Sequence, residues 1–213
     1  YENLHDKVKA LLAETKTALD GLKTEADKYT QLEVVFNANG VYTALSGYDK
    51  YWLVVYNPSE TTERFYYGGG SPWVQSNVVT LVANAWNQVE YELKMAQNGV
   101  MNMYHFVGDA PTVINFNDST SGWKCLVYGT RDEAKAQELL AAFNTAVDAI
   151  SDPLTADDAD AIVAARAVYD ALTPYALTLV DADKVTKLVN AEAAIGALVD
   201  QAKAQEVIDL IEA

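Results

Sequence analysis

The hydrophobic period changes twice along this chain, and that limits the folds open to it more than any other feature. Over residues 3–30, Leu4, Val8, Leu11, Leu12, Thr15, Leu19, Leu22, Ala26 and Tyr29 recur at three- and four-residue steps, the pattern of an amphipathic helix. Asn3 suits its N-cap. From about 33 to 130 the pattern shortens to that of strands, and after Tyr128 it returns to 3.6. One uniform architecture cannot satisfy both periods. The expected fold is therefore α+β in several parts: an antiparallel β-sandwich-like head flanked by helices, followed by a three-helix bundle. A stripe as long as that of residues 1–31 needs a partner helix in water, and residues 132–150 are expected to supply it.

Residues 32–130 carry most of the aromatic side chains and all four tryptophans. Strand-like runs fall at 33–37, 41–45, 51–57, 62–67, 73–83, 86–95, 101–107, 112–117 and 123–128. Asn39-Gly40, Ser46-Gly47, Asn57-Pro58, Gly68-Gly69-Gly70, Asn98-Gly99, Gly108-Asp109 and Ser121-Gly122 separate them, each a turn signal. Short strands at this spacing point to a sandwich or a partly closed barrel. Residues 90–95 and 100–106 are expected to pair as a hairpin around Asn98-Gly99, because that dipeptide readily adopts the positive φ angles of a tight turn.

Three further helices are expected, over 132–150, 156–172 and 183–200. Asp152-Pro153 ends the first, Thr155 with Asp158 makes a capping-box start for the second, and Thr173-Pro174 closes it. Ala134-Lys135-Ala136-Gln137-Glu138 returns unchanged as Ala202-Lys203-Ala204-Gln205-Glu206. The shift fits one three-helix unit, so 131–200 reads as one repeat and 201–213 as the first helix of the next. Leu154-Thr155-Ala156-Asp157-Asp158, Ile162, Ala165-Arg166, Tyr169-Asp170-Ala171-Leu172-Thr173, Val180, Leu188 and Ala191-Glu192-Ala193-Ala194-Ile195 resemble FIVAR-like tandem three-helix repeats of Gram-positive bacterial surface proteins. Pro174-Tyr175 departs from that pattern at the inter-helix loop. The resemblance implies a spacer role beside adhesive or glycan-active domains, a cell-wall-associated or secreted setting, and no catalytic residues.

Acidic residues number 30 against 15 Lys and Arg, a formal charge of −15, which would repel a phosphate backbone and speaks against nucleic acid as a partner. No apolar run approaches the roughly 20 residues of a membrane span. A chain that begins at Tyr1 without a leader pattern is expected to be a piece of a longer, multi-domain protein. The single Cys125 has no internal disulfide partner.

Signals of chemistry are sparse. His5 and His105 fit no metal-ligand spacing, and no nucleophile elbow is present. Glu90 and Glu92 would stand about 7 Å apart on one strand face, a spacing open to glycosidic chemistry but commoner on an exposed sheet. No enzyme activity is expected. Calcium is the one ion the residues suggest, through Asn115, Asn117, Asp118 and Ser119 in one loop; an ordinary Asx-rich turn accounts for the same cluster. No other cofactor is expected. Tyr and Trp offer flat apolar faces with polar edges to sugars or proteins. Tyr48, Tyr66, Tyr67 and Trp73, beside turns and the glycine run, are the expected exposed ligand-binding set, and Trp52, Trp86 and Trp123 the expected core. The expected role is a non-catalytic, adhesin-like module recognising a glycan or an extracellular protein. A purely structural spacer, or an accessory domain of a glycan-degrading enzyme, is the alternative.

Overall fold

The computed structural model describes residues 2–37, 40–41, 44–99 and 101–212. Asn39 of the expected Asn39-Gly40 turn lies outside them. The chain divides into two compact units, 1–131 and 132–213. The first is mixed α and β with antiparallel sheets, and the second is helical. Among the described residues no helix is long and apolar enough to cross a membrane.

The first unit opens with α1, Glu2–Ala26. Its threonines bond back to the preceding turn, Thr15 Oγ1 donating to the Leu11 carbonyl at 2.8 Å, and Lys16 pairs with Asp20 across one turn. The expected stripe is present but bare: Leu11, Leu12, Leu19 and Leu22 are all more than 60% exposed. In the second unit, Ala136, Phe143, Val147 and Ile150 of the stripe over 132–150 are buried in that unit's own core. The helix also stops earlier than its stripe suggests, because Tyr29–Leu32 is already strand β1. Tyr29 and Thr30 favour extended backbone, and β1 has a long partner waiting in the last strand.

Among the described residues ten more strands follow: β2 Phe36–Asn37, β3 Gly40–Val41, β4 Lys50–Asn57, β5 Glu63–Gly69, β6 Val74–Gln75, β7 Val79–Leu81, β8 Ala85–Tyr91, β9 Met101–Val107, β10 Ala110–Val113 and β11 Lys124–Thr130. They form two antiparallel sheets. The first runs β1-β11-β4-β8; the second runs β2-β3-β9-β5-β6, with β10 on β9 and β7 on β5. Alternation sends Tyr51, Leu53 and Val55 of β4 and Cys125 and Val127 of β11 inward. They meet Phe65 and Tyr67 of β5 and Met101 and Met103 of β9 in one buried cluster drawn from both sheets. Trp123 joins it at 8% exposure.

Two expectations fail here. Trp52 and Trp86 do not enter the core, because the same alternation turns them to the opposite face of the first sheet, where Trp86 is 48% exposed. The expected hairpin around Asn98-Gly99 does not form, for β8 belongs to the first sheet and β9 to the second. Leu93–Ala96, good helix formers, instead make a one-turn helix α2 between the sheets, with Met95 and Ala96 buried. Gly99 still takes a positive φ of 86°. The tight hairpin lies at β9–β10, where the two-residue loop Gly108-Asp109 has Gly108 at φ 63°.

In the second unit, α3 spans Glu133–Asp148, α4 Ala159–Asp170, α5 Pro174–Leu179 and α6 Ala182–Glu212. Asp132 caps α3 through the Lys135 amide. The expected capping box at Thr155 and Asp158 is formed, at a short 3-10 turn leading into α4. Pro174 ends one helix and starts the short α5, with Thr173 as its N-cap. The boundary expected near 200 is absent: α6 continues unbroken to Glu212, and Val207, Ile208 and Ile211 on its last turns are exposed. Phe143, Val147, Ile162, Ala165 and Leu188 fill the core, and Arg166 grips Glu192 of α6 with two charge-assisted bonds of 2.6 and 2.5 Å.

Buried polar groups hold both units. Asn57, with no exposed surface, donates to the Thr61 and Val82 carbonyls and accepts from the Ser59 amide. Asn57→Ala should lower the stability of the first unit by about 2 kcal/mol in urea unfolding, since it removes three hydrogen bonds made by a fully buried side chain. Asp158, at 5% exposure, accepts from the amides of Ser151 and Thr155 and from the Thr155 hydroxyl. Those bonds hold its carboxyl far below the ordinary value. A depressed folded value means the stabilisation is complete above pH about 4 and is lost as pH falls below that. Asp158→Asn should therefore lower the melting temperature at pH 7, with the gap to the parent chain closing on acidification.

Candidate functional site

The outer face of the second sheet assembles a cluster of aromatic rings from two strands and one loop. The β5–β9 register places Tyr66 opposite Tyr104, and Gly68 opposite Asn102. Tyr66 and Tyr104 stack with planes 9° apart and centroids 4.7 Å apart. Phe106 lies 5.8 Å from Tyr66, and the Arg64 guanidinium sits 4.0 Å over the Phe106 ring. That guanidinium is fixed by bonds of 3.0 Å to the Gly108 carbonyl and the Asp109 carboxylate. Those contacts occupy the faces of Tyr66, Tyr104 and Phe106 against one another and against Arg64.

Trp73 is different. It stands 49% exposed, edge-on to Tyr104 at 6.1 Å, with its ring lying over Gly68. A Cβ at Gly68 would come within 2.8 Å of the indole and 2.9 Å of the Val74 carbonyl. The missing side chain is what lets the indole come this close to β5. Its N–H points to Gln75 Oε1 at 3.4 Å. Around it are hydrogen-bonding groups of the kind sugar hydroxyls use: the Tyr104 hydroxyl, which accepts from Asn102 Nδ2 at 3.0 Å, the Asn102 amide and the Gln75 amide. The Tyr66 phenol is pushed up by burial, so it stays neutral.

Of the four residues expected at a site, two come together here. Trp73 is exposed, and Tyr66 shares its face but keeps only 9% exposure. Tyr67 points the other way. It is 2% exposed in the core, its ring 4.9 Å edge-on to Tyr91 and its hydroxyl donating to the Glu90 carbonyl. Adjacent strand residues face opposite sides, so Tyr66 and Tyr67 could not serve one surface. Tyr48 is half-buried away from this face, pressed against Gly129 and covered by the Arg131 guanidinium at 4.2 Å. Tyr104, Asn102 and Gln75 were not among the expected residues. The signal for Tyr104 was present: Met101 and Met103 alternate with Asn102, Tyr104 and Phe106, an inward set against an outward one.

The remaining candidates have structural partners. In the Asn115–Ser119 loop, Asp118 accepts from the Thr120 hydroxyl and amide, which depress its pKa, Asn115 accepts from the Asn117 amide, and Asn117 Nδ2 donates to the Phe36 carbonyl. The Asn115–Asn117 and Asp118–Thr120 amide bonds are those of Asx turns. Among the described residues no group of three or more His, Cys, Asp or Glu is placed to hold a metal ion. His105 lies against Trp123 with Nδ1 3.8 Å from Glu63. Glu90 faces outward on β8, whereas Glu92 has left the strand and precedes α2, so they do not form a same-face pair. Cys125 is buried, and burial pushes its thiol up, which leaves it unreactive.

Gly68→Ala should lift the indole off β5, because neither the ring nor the Val74 carbonyl has room for a methyl group. The expected result is a red-shifted component in the tryptophan emission that is absent when the same change is made in a Trp73→Phe background. No protein-family model matches the chain, and neither does any curated protein or solved structure.

Proposed function

We propose that this chain is a non-catalytic binding segment of a bacterial cell-surface or secreted protein. In this reading the two sheets form a sandwich whose outer face binds a glycan, and the second unit is a three-helix repeat that serves as a stalk. The observation that carries it is the indole of Trp73, half exposed and pressed against the bare Cα of Gly68, with amide and hydroxyl groups beside it. A pyranose ring presents axial C–H groups to an aromatic face and hydroxyls to the rim, and a ring already held in place loses little freedom on binding. A neutral sugar suits the site, since Arg64, the cation nearest the cluster, is engaged by Asp109 and the chain as a whole is strongly acidic. The FIVAR-like resemblance of residues 131–213 supports the extracellular setting and the stalk.

A structural role in assembly is the second reading. The bare stripes of α1 and of the end of α6 favour it, since exposed apolar faces of that size mark contact surfaces.

A screen of neutral oligosaccharides against the full chain tests the first reading. A hit is expected, and Trp73→Ala should weaken it by about tenfold or more, as for other central aromatic anchors. Binding that Trp73→Ala leaves unchanged would overturn the site. Failure of every glycan, with capture of a purified serum or wall protein lost on Trp73→Ala, would replace the sugar by a protein ligand.

A further inference from the structure

The first sheet ends in β8, whose side away from β4 carries no further strand among the described residues. Of the edge strands described it is the longest, at seven residues, and it holds neither proline nor lysine. Such an edge is normally protected, because its unpaired N–H and C=O groups can template another chain. Here the backbone direction can be read from one side chain. The Tyr67 hydroxyl donates to the Glu90 carbonyl and accepts from the Glu92 amide, both at 3.0 Å. The even-numbered residues therefore turn their backbone groups away from β4, and the odd-numbered ones bond to it. Tyr67 satisfies the last of the outward groups. Those of Trp86 and Gln88, and the Glu90 N–H, have no partner among the described residues.

Beside this edge lies a cleft of about 390 Å³ whose walls include Val79, Leu81 and Tyr67 of the second sheet and Val89 of β8. We infer that β8 is a docking edge for an extended segment of a partner polypeptide, which adds as a strand along Trp86–Glu90. Backbone bonds would supply affinity and alternate side chains the selectivity. Inward-pointing residues of the guest, flanked by Asn87 and Val89, enter the cleft and are apolar. Outward-pointing residues lie beside Trp86, Gln88 and Glu90 and are basic, complementing Glu90 and the formal charge of −15. The same charge disfavours a second copy of this chain as the guest. This surface is separate from the Trp73 face and does not depend on it.

The test uses the full chain labelled with 15N and a blocked peptide of about nine residues alternating valine and lysine, the length of an ordinary strand. Saturating peptide should slow amide exchange at Trp86, Gln88 and Glu90 by about tenfold or more, with Asn87 and Val89 already protected by β4. Gln88→Pro removes one outward N–H at an edge position where proline is tolerated, and it should abolish binding, whereas Gln88→Ala should retain it. The same peptide N-methylated at its edge-facing amides should fail against the unmodified chain, which keeps the test decisive if the proline variant unfolds. Unchanged exchange at the three amides, or equal binding by the N-methylated peptide, would overturn the inference. Protection of those amides without peptide, rising with protein concentration, would overturn it in favour of self-pairing.

Discussion

The Tyr67 hydroxyl is the tie on which the rest of the first unit depends. Its strand belongs to the second sheet, yet its oxygen bonds to the backbone at the end of β8 in the first, and its ring packs edge-on against Tyr91 of that strand. The ring supplies apolar area to the shared core and the hydroxyl is satisfied at the far end, the usual arrangement for a buried tyrosine. With Tyr67 committed inward, Tyr66 must face outward, and with it Tyr104 across the β5–β9 ladder. The aromatic cluster on the surface is thus the reverse side of a decision made in the core.

The helical unit was readable from its sequence, because apolar residues at three- and four-residue steps admit few other structures and the Thr155–Asp158 box names its own position. The helix boundary expected near 200 has no counterpart, since nothing between Ala197 and Glu206 breaks a helix. In the β region the strands at 50–57, 63–69, 101–107 and 124–130 lay close to where alternation put them. Their facing did not follow as easily. Both parities of β4 are apolar, Tyr51, Leu53 and Val55 on one side and Trp52, Val54 and Tyr56 on the other, so volume alone could not say which tryptophan is core. Asn98-Gly99 misled for a related reason: a turn dipeptide fixes local backbone angles, but it does not say whether the flanking segments share a sheet. At the candidate site, Trp73 beside the glycine run was legible; alternation along β9 also turned Tyr104 outward, but its place beside Tyr66 and Trp73 was not legible, because only the ladder between β5 and β9 brings it near.

Electrostatics plays different parts in the two units. In the helical one, the Arg166–Glu192 fork joins α4 to α6, depresses the Glu192 carboxyl and reaches toward Asp170 as well. Lys184 pairs with Asp148, and Lys187 donates to the Ile150 carbonyl, so cations at the start of α6 meet the end of α3, where its dipole favours them. On the β unit, Arg64 is held flat on Phe106 by Asp109. Cations here fasten neighbouring elements, and the excess charge left on the chain is acidic.

The ambiguity of β4 gives Asn57 a meaning beyond its own hydrogen bonds. Sliding the strand by one residue would bring Trp52, Val54 and Tyr56 inside in place of Tyr51, Leu53 and Val55, with comparable hydrophobicity in either frame. Only the polar residue at the end of the inward row distinguishes them. In the native frame its amide bonds to the Thr61 carbonyl and the Ser59 N–H of the loop that follows and to the Val82 carbonyl beyond it; one residue out of step, it would face solvent and leave the two loop groups without it. Asn57 acts as a ratchet tooth, contributing to the uniqueness of the strand's registration against its neighbours where the apolar residues contribute mainly to its burial.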